Sequence, residues 1–223
     1  MVKSAAIMVL TAHAIFAQTP LALVDKSPQD APVSLSGTAT TGSDPQSRLT
    51  FRISVRNLSE KDIILRVLRI EIFEPSQQNG PRSVVRSDEC FFGSQLFAAH
   101  STDTIEEAPY SPYEQPTPSV VEVASVFVQF ADGSTWGDPD EGEEALADRE
   151  VILKELADLA MTYQTEGAAQ FGSLLMKLRP DGMINQLRSS YQATGDAEST
   201  MKLLNQTLQN AESHLQGMRK AAG

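Results

Sequence analysis

The stretch that most constrains this chain is Val120 to Phe130, VVEVASVFVQF. It holds eleven residues with a single charge, Glu122, and is rich in valine and phenylalanine. Successive side chains on a strand point to opposite faces, so apolar residues at both parities require cover on both sides. In strict alternation Ala124, Val126, Val128 and Phe130 share one face, and Val121, Val123 and Phe127 share the other. Asp132-Gly133 supplies a tight turn, because both residue types tolerate positive φ. Trp136 follows on a short return, placed to cap the core. The stretch reads as the central strand of a β-domain.

The upstream chain supplies strands to pair with it. Arg48 to Leu58 alternates, with Leu49, Phe51, Ile53 and Val55 on one face and Thr50, Arg52, Ser54 and Arg56 on the other. One wet face is the habit of an antiparallel sheet. Ile63 to Glu74 is the next long strand, with Leu68, Ile70 and Ile72 opposed to Arg69 and Glu71. Val33 to Thr40 is expected as a first edge strand. Val84–Phe92, Gln95–Ala99 and Thr104-Ile105 are shorter candidates, and the proline-rich run Ala108 to Pro118 is a surface loop. Strands at this spacing, with turn signals between them, predict an antiparallel β-sandwich over 33–137.

The N-terminus reads differently. Lys3 precedes an apolar run and the small-residue sites Ala12-His13-Ala14 and Ala17. This is the order of a signal peptide over 1–17, cleaved after Ala14 or Ala17, and it predicts export to the periplasm or the extracellular space. Three prolines in 18–32 mark an extended leader. No run approaches the ~20 apolar residues of a membrane-spanning helix. Cys90 is the single cysteine, so internal disulfides are excluded; beside Phe91 and Phe92 it reads as a small buried hydrophobe. A net charge of −11, with no basic cluster, argues against a nucleic-acid partner.

Composition changes at Gly137. Between Asp138 and Glu150 lie seven acids and one arginine, and acids in a first turn favour the positive end of a helix dipole. Leu146, Leu153, Leu156, Ala160 and Tyr163 recur at helical spacing until Gly167. Phe171, Leu174 and Leu178 continue a face; Pro180-Asp181-Gly182 breaks it, and Met183–Tyr191 is a short helix. From Asp196 the pattern is regular. Met201, Leu204, Leu208, Ala211, Leu215 and Met218 recur at intervals of 3, 4, 3, 4 and 3. This stripe is expected either to pack on its own chain or to form a coiled-coil seam with a partner or a second copy. Residues 138–223 are thus a helical region, and the chain as a whole is α+β.

Little in the sequence carries chemistry. His100 sits in a turn, and His214 is expected to face solvent on the last helix. No Cys/His spacing suggests zinc, and no nucleophile-elbow motif is present. Asp138, Asp140 and Glu144 fail the spacing of a calcium loop. No cofactor, metal ligand or catalytic residue is assigned. Tyr110, Tyr113 and Trp136 are candidates for an exposed aromatic binding patch, with Trp136 as a core plug the plainer reading. Asn57-Leu-Ser59 and Asn205-Gln-Thr207 match glycosylation sequons.

Phe51-Arg-Ile-Ser-Val-Arg-Asn-Leu-Ser and Val126-Phe-Val-Gln-Phe-Ala-Asp-Gly-Ser-Thr-Trp-Gly resemble the Ig-like sandwich domains of exported bacterial proteins, including the FxLYD-like group, although the tetrad that names that group is absent. The resemblance implies a non-catalytic binding or scaffolding module. Two rivals remain: a hydrolase using paired carboxylates near the Tyr-Pro loop, and an assembly component that oligomerises through the last helix.

Overall fold

The structure, a computed structural model, describes residues 19–41, 50–73, 82–91, 96–107, 120–179 and 182–221. The expected signal peptide, Tyr110, Tyr113 and the proline-rich loop lie outside these residues. Eight strands precede four helices, an α+β arrangement. The strands are β1 (Thr19–Asp25), β2 (Val33–Thr41), β3 (Thr50–Asn57), β4 (Ile63–Phe73), β5 (Arg82–Asp88), β6 (Thr102–Glu107), β7 (Val120–Phe130) and β8 (Thr135–Gly137). The helices are α1 (Pro139–Glu166), α2 (Ala168–Leu175), α3 (Gly182–Thr194) and α4 (Ala197–Ala221). None of the described helices is long and apolar enough to cross a membrane.

The hydrogen-bonded strand order is β5-β4-β7-β1-β2-β3-β6, with β8 also paired to β7. Four expectations change here. The segment 18–32, expected as a leader, contributes β1, which joins the two halves of the sheet. Thr19–Leu21 pair antiparallel with β2, while Ala22–Asp25 pair parallel with Val120–Val123 of β7. The sheet is therefore mixed, not all antiparallel, and β2 is flanked on both sides, not an edge. Gln95–Ala99 does not form a strand over its described part; only a bridge between Phe97 and Ile63 is made there.

The central strand occupies the expected residues, but strict alternation fails within it. The β4–β7 register shifts between Ile63 and Leu65 and again between Val67 and Leu68. The first shift inserts Ile64 into β4; the second inserts Val126 into β7. A β-bulge adds one residue to one strand and re-aims the side chains beyond it. Val121, Val123, Val128 and Phe130 consequently join one core, and Val126 and Phe127 join the other, with Ala124 packed against the latter. The predicted partition of Val126 and Phe127 is thus corrected by the bulge.

Each core has its own partners. The first core unites Val33, Leu35, Phe51, Ile53, Val55 and Ile105 with Leu68 and Ile70 of β4, and Trp136 packs at its margin. Here the sequence reading of β3 holds, since Phe51, Ile53 and Val55 are fully buried while Arg52 is exposed. The second core joins Ile64, Leu65 and Val67 of β4 to Leu156, Leu159, Phe171, Ile184, Leu187, Leu204 and Ala211 of the helices. Phe171 lies edge-on to both Tyr163 and Tyr191, at 5.6 and 6.2 Å between ring centres.

The boundaries follow local chemistry. The Asp132-Gly133 turn is present: Gly133 has φ +85°, and the Asp132 carboxylate accepts from the Ser134 N–H at 3.0 Å. Asp138 caps α1 by accepting from the Asp140 N–H, with Pro139 in the first turn. Gly167 ends α1 at φ +86°, a conformation that costs glycine little. Asp196 accepts from the Glu198 and Ser199 N–H groups and so caps α4.

Gly142 marks where α1 lands on the sheet. A Cβ at this position would stand 2.4 Å from the Phe127 ring. Alanine favours a helix over glycine by about 1 kcal/mol, but this crowding costs about 1–3 kcal/mol. Gly142→Ala is expected to lower stability in urea unfolding, against helix propensity; a more stable variant would show that α1 does not sit on Phe127.

Candidate functional site

The densest polar chemistry among the described residues lies where α1 crosses β4 and β5. The face of β4 that packs on the helices directs Arg69 at α1, and the edge strand contributes Arg86 and Asp88. From α1, Glu141 meets Arg69 at 2.8 Å and Glu144 meets Arg86 at 2.9 Å, while Asp148 also bonds to Arg86. Of the acids at the start of α1, Glu141 and Asp148 are half-buried against these arginines, the Glu141 side chain only 11% exposed, whereas Asp138, Asp140, Glu143, Glu144 and Glu150 are exposed.

Arg149 lies at the centre of this seam. It is 4% exposed and fully bonded: Nε donates to Asp88 Oδ2 at 2.6 Å, Nη2 to Asp88 Oδ1 at 3.0 Å, and Nη1 to Gln129 Oε1 at 2.8 Å. A buried charge is tolerated only when paired and hydrogen-bonded in this way. The sequence signal for it was an arginine on the buried stripe of α1, four residues after Ala145 and seven before Leu156. The predicted stripe through Leu146 and Leu153 lies at the edge of that face, where both side chains are half-buried.

A cavity of about 190 Å³ opens beside this network. Its wall is mainly apolar, from Leu65, Phe91, Ala145, Ile152 and Met183, with the Arg86–Asp148 and Arg149–Asp88 pairs on one side. Cys90 is buried nearby, as expected, and its Sγ lies 3.8 Å from the Ala211 carbonyl oxygen of α4. Burial first, and the Asp88 charge second, push the thiol up to about 12. The native thiol is therefore protonated, and the stability this contributes persists below the ordinary thiol range and is lost as pH rises towards 12.

A second charged group crosses the other core. Arg66 is 2% exposed, stacks 4.4 Å from the Phe97 ring centre, and bonds to Asp103 and Glu89. Burial raises the Glu89 carboxyl, against the opposing pull of Arg66. Among the described residues no group of three or more His, Cys, Asp or Glu side chains is gathered closely enough to hold a metal ion.

The remaining sequence candidates are placed as follows. Trp136 is half-buried against the first core and its Nε1 donates to Asp30 Oδ2 at 3.2 Å, the position of a plug. On α4, Met201, Leu204, Ala211 and Met218 are buried in the second core, and Leu208 and Leu215 pack on its margin. His214 is corrected: it is half-buried, with Nδ1 enclosed, and does not simply face solvent. His100 sits in its turn at φ +58° with Nε2 2.9 Å from Glu60. Asn57 is fully buried and its amide donates to the Lys61 and Ala98 carbonyls, so the first sequon is closed to a glycan in the folded chain.

No protein-family model and no curated protein matches the chain. A solved hypothetical protein from Peptoclostridium difficile 630 aligns with 54% of this chain and 92% of its own length, at 10% identity and a TM-score of 0.36, a likeness that carries no argument.

Two outcomes follow from the seam. Arg149→Met leaves Asp88 and Gln129 buried without their donor, and is expected to cost about 3–5 kcal/mol in urea unfolding; a loss below about 1 kcal/mol would contradict the network. Cys90 is expected to resist a thiol-specific chromogenic reagent at pH 8 in native protein and to react fully in denaturant. Rapid native labelling would show that α4 does not cover it.

Proposed function

We propose that the chain is an exported, non-catalytic binding or structural module. In this reading the strands form an Ig-like sandwich akin to the FxLYD-like group, and the helices are a covering layer. The observation that carries the proposal is the fate of the charged groups. Arg69, Arg86 and Arg149 are spent on Glu141, Glu144, Asp148 and Asp88, so the seam between sheet and helices is a neutralised joint. Catalytic acids and bases need displaced pKa values and access to a reacting atom. The Glu89 carboxyl, pushed up by burial, is bound to Arg66.

Export has support from the position of β1. It starts at Thr19, so processing after either Ala14 or Ala17 leaves every described strand whole. Expression with residues 1–17 in a bacterial host, followed by intact mass of the periplasmic fraction, is expected to give a chain starting at Ile15 or Gln18. Retention of the full chain in the cytoplasm would overturn the export reading. Turnover of chromogenic esters or glycosides that disappears in Glu89→Gln would overturn the non-catalytic one.

A further inference from the structure

We propose that Arg66, Asp103 and Glu89 form a one-proton clasp between β4 and β6, tighter in mild acid than at neutral pH. The inference goes beyond the module reading and holds whether or not the chain is exported. In the hydrogen-bonded order β7, β1, β2 and β3 stand between β4 and β6, and no described ladder joins the two. They meet across the first core, which takes Leu68 and Ile70 from β4 and Ile105 from β6. Arg66 closes that gap. Its Nη2 donates to Asp103 of β6 and also to Glu89 Oε1, the latter at 3.4 Å, while Phe97 covers the face of the guanidinium.

The charges at this clasp do not balance. One guanidinium serves two carboxylates through a single nitrogen, and its Nε and Nη1 are enclosed without partners. Asp88, the acid next to Glu89, is bonded to Arg149 of α1 and brings further negative charge. The charged groups facing Glu89 are thus Arg66 of β4, Asp103 of β6 and Asp88 of β5, with Arg149 behind Asp88. Two carboxylates that share one cation in a dry site resist joint ionisation, so one of them takes up a proton more readily. Exposure selects which. The Asp103 side chain is 46% exposed and keeps its charge in contact with water, whereas the Glu89 side chain is 21% exposed and holds Arg66 by the longer contact. Burial is the largest influence on the Glu89 carboxyl and raises it; Arg66 opposes, and Asp103 and Asp88 add to the rise. With the proton on Glu89, one Arg66 charge faces one Asp103 charge. The folded chain binds this proton more tightly than the unfolded chain does. The stability it contributes is full below the ordinary glutamate value of about 4.3 and is lost as pH rises through the raised folded value.

The test is a carbon-13 NMR titration of the side-chain carboxyls, joined to urea unfolding at about pH 5 and about pH 7.5. The Glu89 signal, identified by its loss in Glu89→Gln, is expected to titrate above the ordinary glutamate value. Asp103→Asn is expected to move that midpoint down, since Arg66 then serves Glu89 alone. Wild type is expected to unfold at higher urea in the acid buffer than in the neutral one. Glu89→Gln is expected to lose part of that gain, while Glu150→Gln, the same charge change at an exposed site, keeps it. Should Asp103→Asn fail to fold, the comparison of Glu89→Gln with Glu150→Gln decides alone. A Glu89 midpoint at or below the ordinary value, a midpoint that Asp103→Asn leaves in place or raises, or a Glu89→Gln variant that keeps the whole acid gain would each overturn the proposal.

Discussion

The structure depends on one strand having two cores to serve. β7 is buried along most of its length, between the core it shares with β2, β3 and β6 and the core it shares with the helices. Hydrophobic burial gives about 1.5–3 kcal/mol for each large side chain removed from water, so a strand covered on both faces contributes twice where a surface strand contributes once. The bulge at Val126 makes this possible, because it shifts the parity of the β7 side chains by one position, as the bulge at Ile64 does in β4. Val126 and Phe127 turn together towards α1, and Val128 and Phe130 return to the sheet-side core. A regular ladder would send Phe127 into the wrong core and take from α1 the ring on which Gly142 lands.

Around that strand the charges act as orientation devices. A hydrophobic face alone does not fix the rotation of α1 on β4. The spacing of Glu141, Glu144 and Asp148 matches the helix repeat, and Arg69 and Arg86 receive them on the strand side. The Glu144–Arg86 pair, with Glu144 exposed, contributes little stability. Arg149 differs, because its burial makes the Asp88 and Gln129 contacts obligatory and so specifies a single seating of the helix. The same logic applies across the sheet at Arg66, where Phe97, Glu89 and Asp103 surround one guanidinium.

What could be read beforehand follows from these causes. β3 was legible because one face is wet and the alternation is plain. The α4 stripe was legible because its spacing is regular, and its covered positions Met201, Leu204, Ala211 and Met218 are those the pattern named. The assignment of β7 residues to faces was not legible, since a bulge inside a strand that is apolar on both sides leaves no trace in hydropathy. β1 was hidden by Pro20, Pro28 and Pro32, whose punctuation dominates a short strand, and parallel pairing to a distant segment has no local signature. The seam was half visible: the acids of α1 were evident, but the arginines that receive them, Arg69 and Arg86, are dispersed over β4 and β5.

The central claim is that β7 binds the strands and the helices into one cooperative unit. Trp136, the single tryptophan, reports on the strand-side core, and helix signal at 222 nm reports on the other. Urea unfolding followed by both probes on one sample is the direct measurement. Coincident transitions, with one midpoint and one slope, are the predicted result. Helix signal lost at lower urea than the tryptophan transition would contradict the account, and would mean that the helical layer only leans on the sheet.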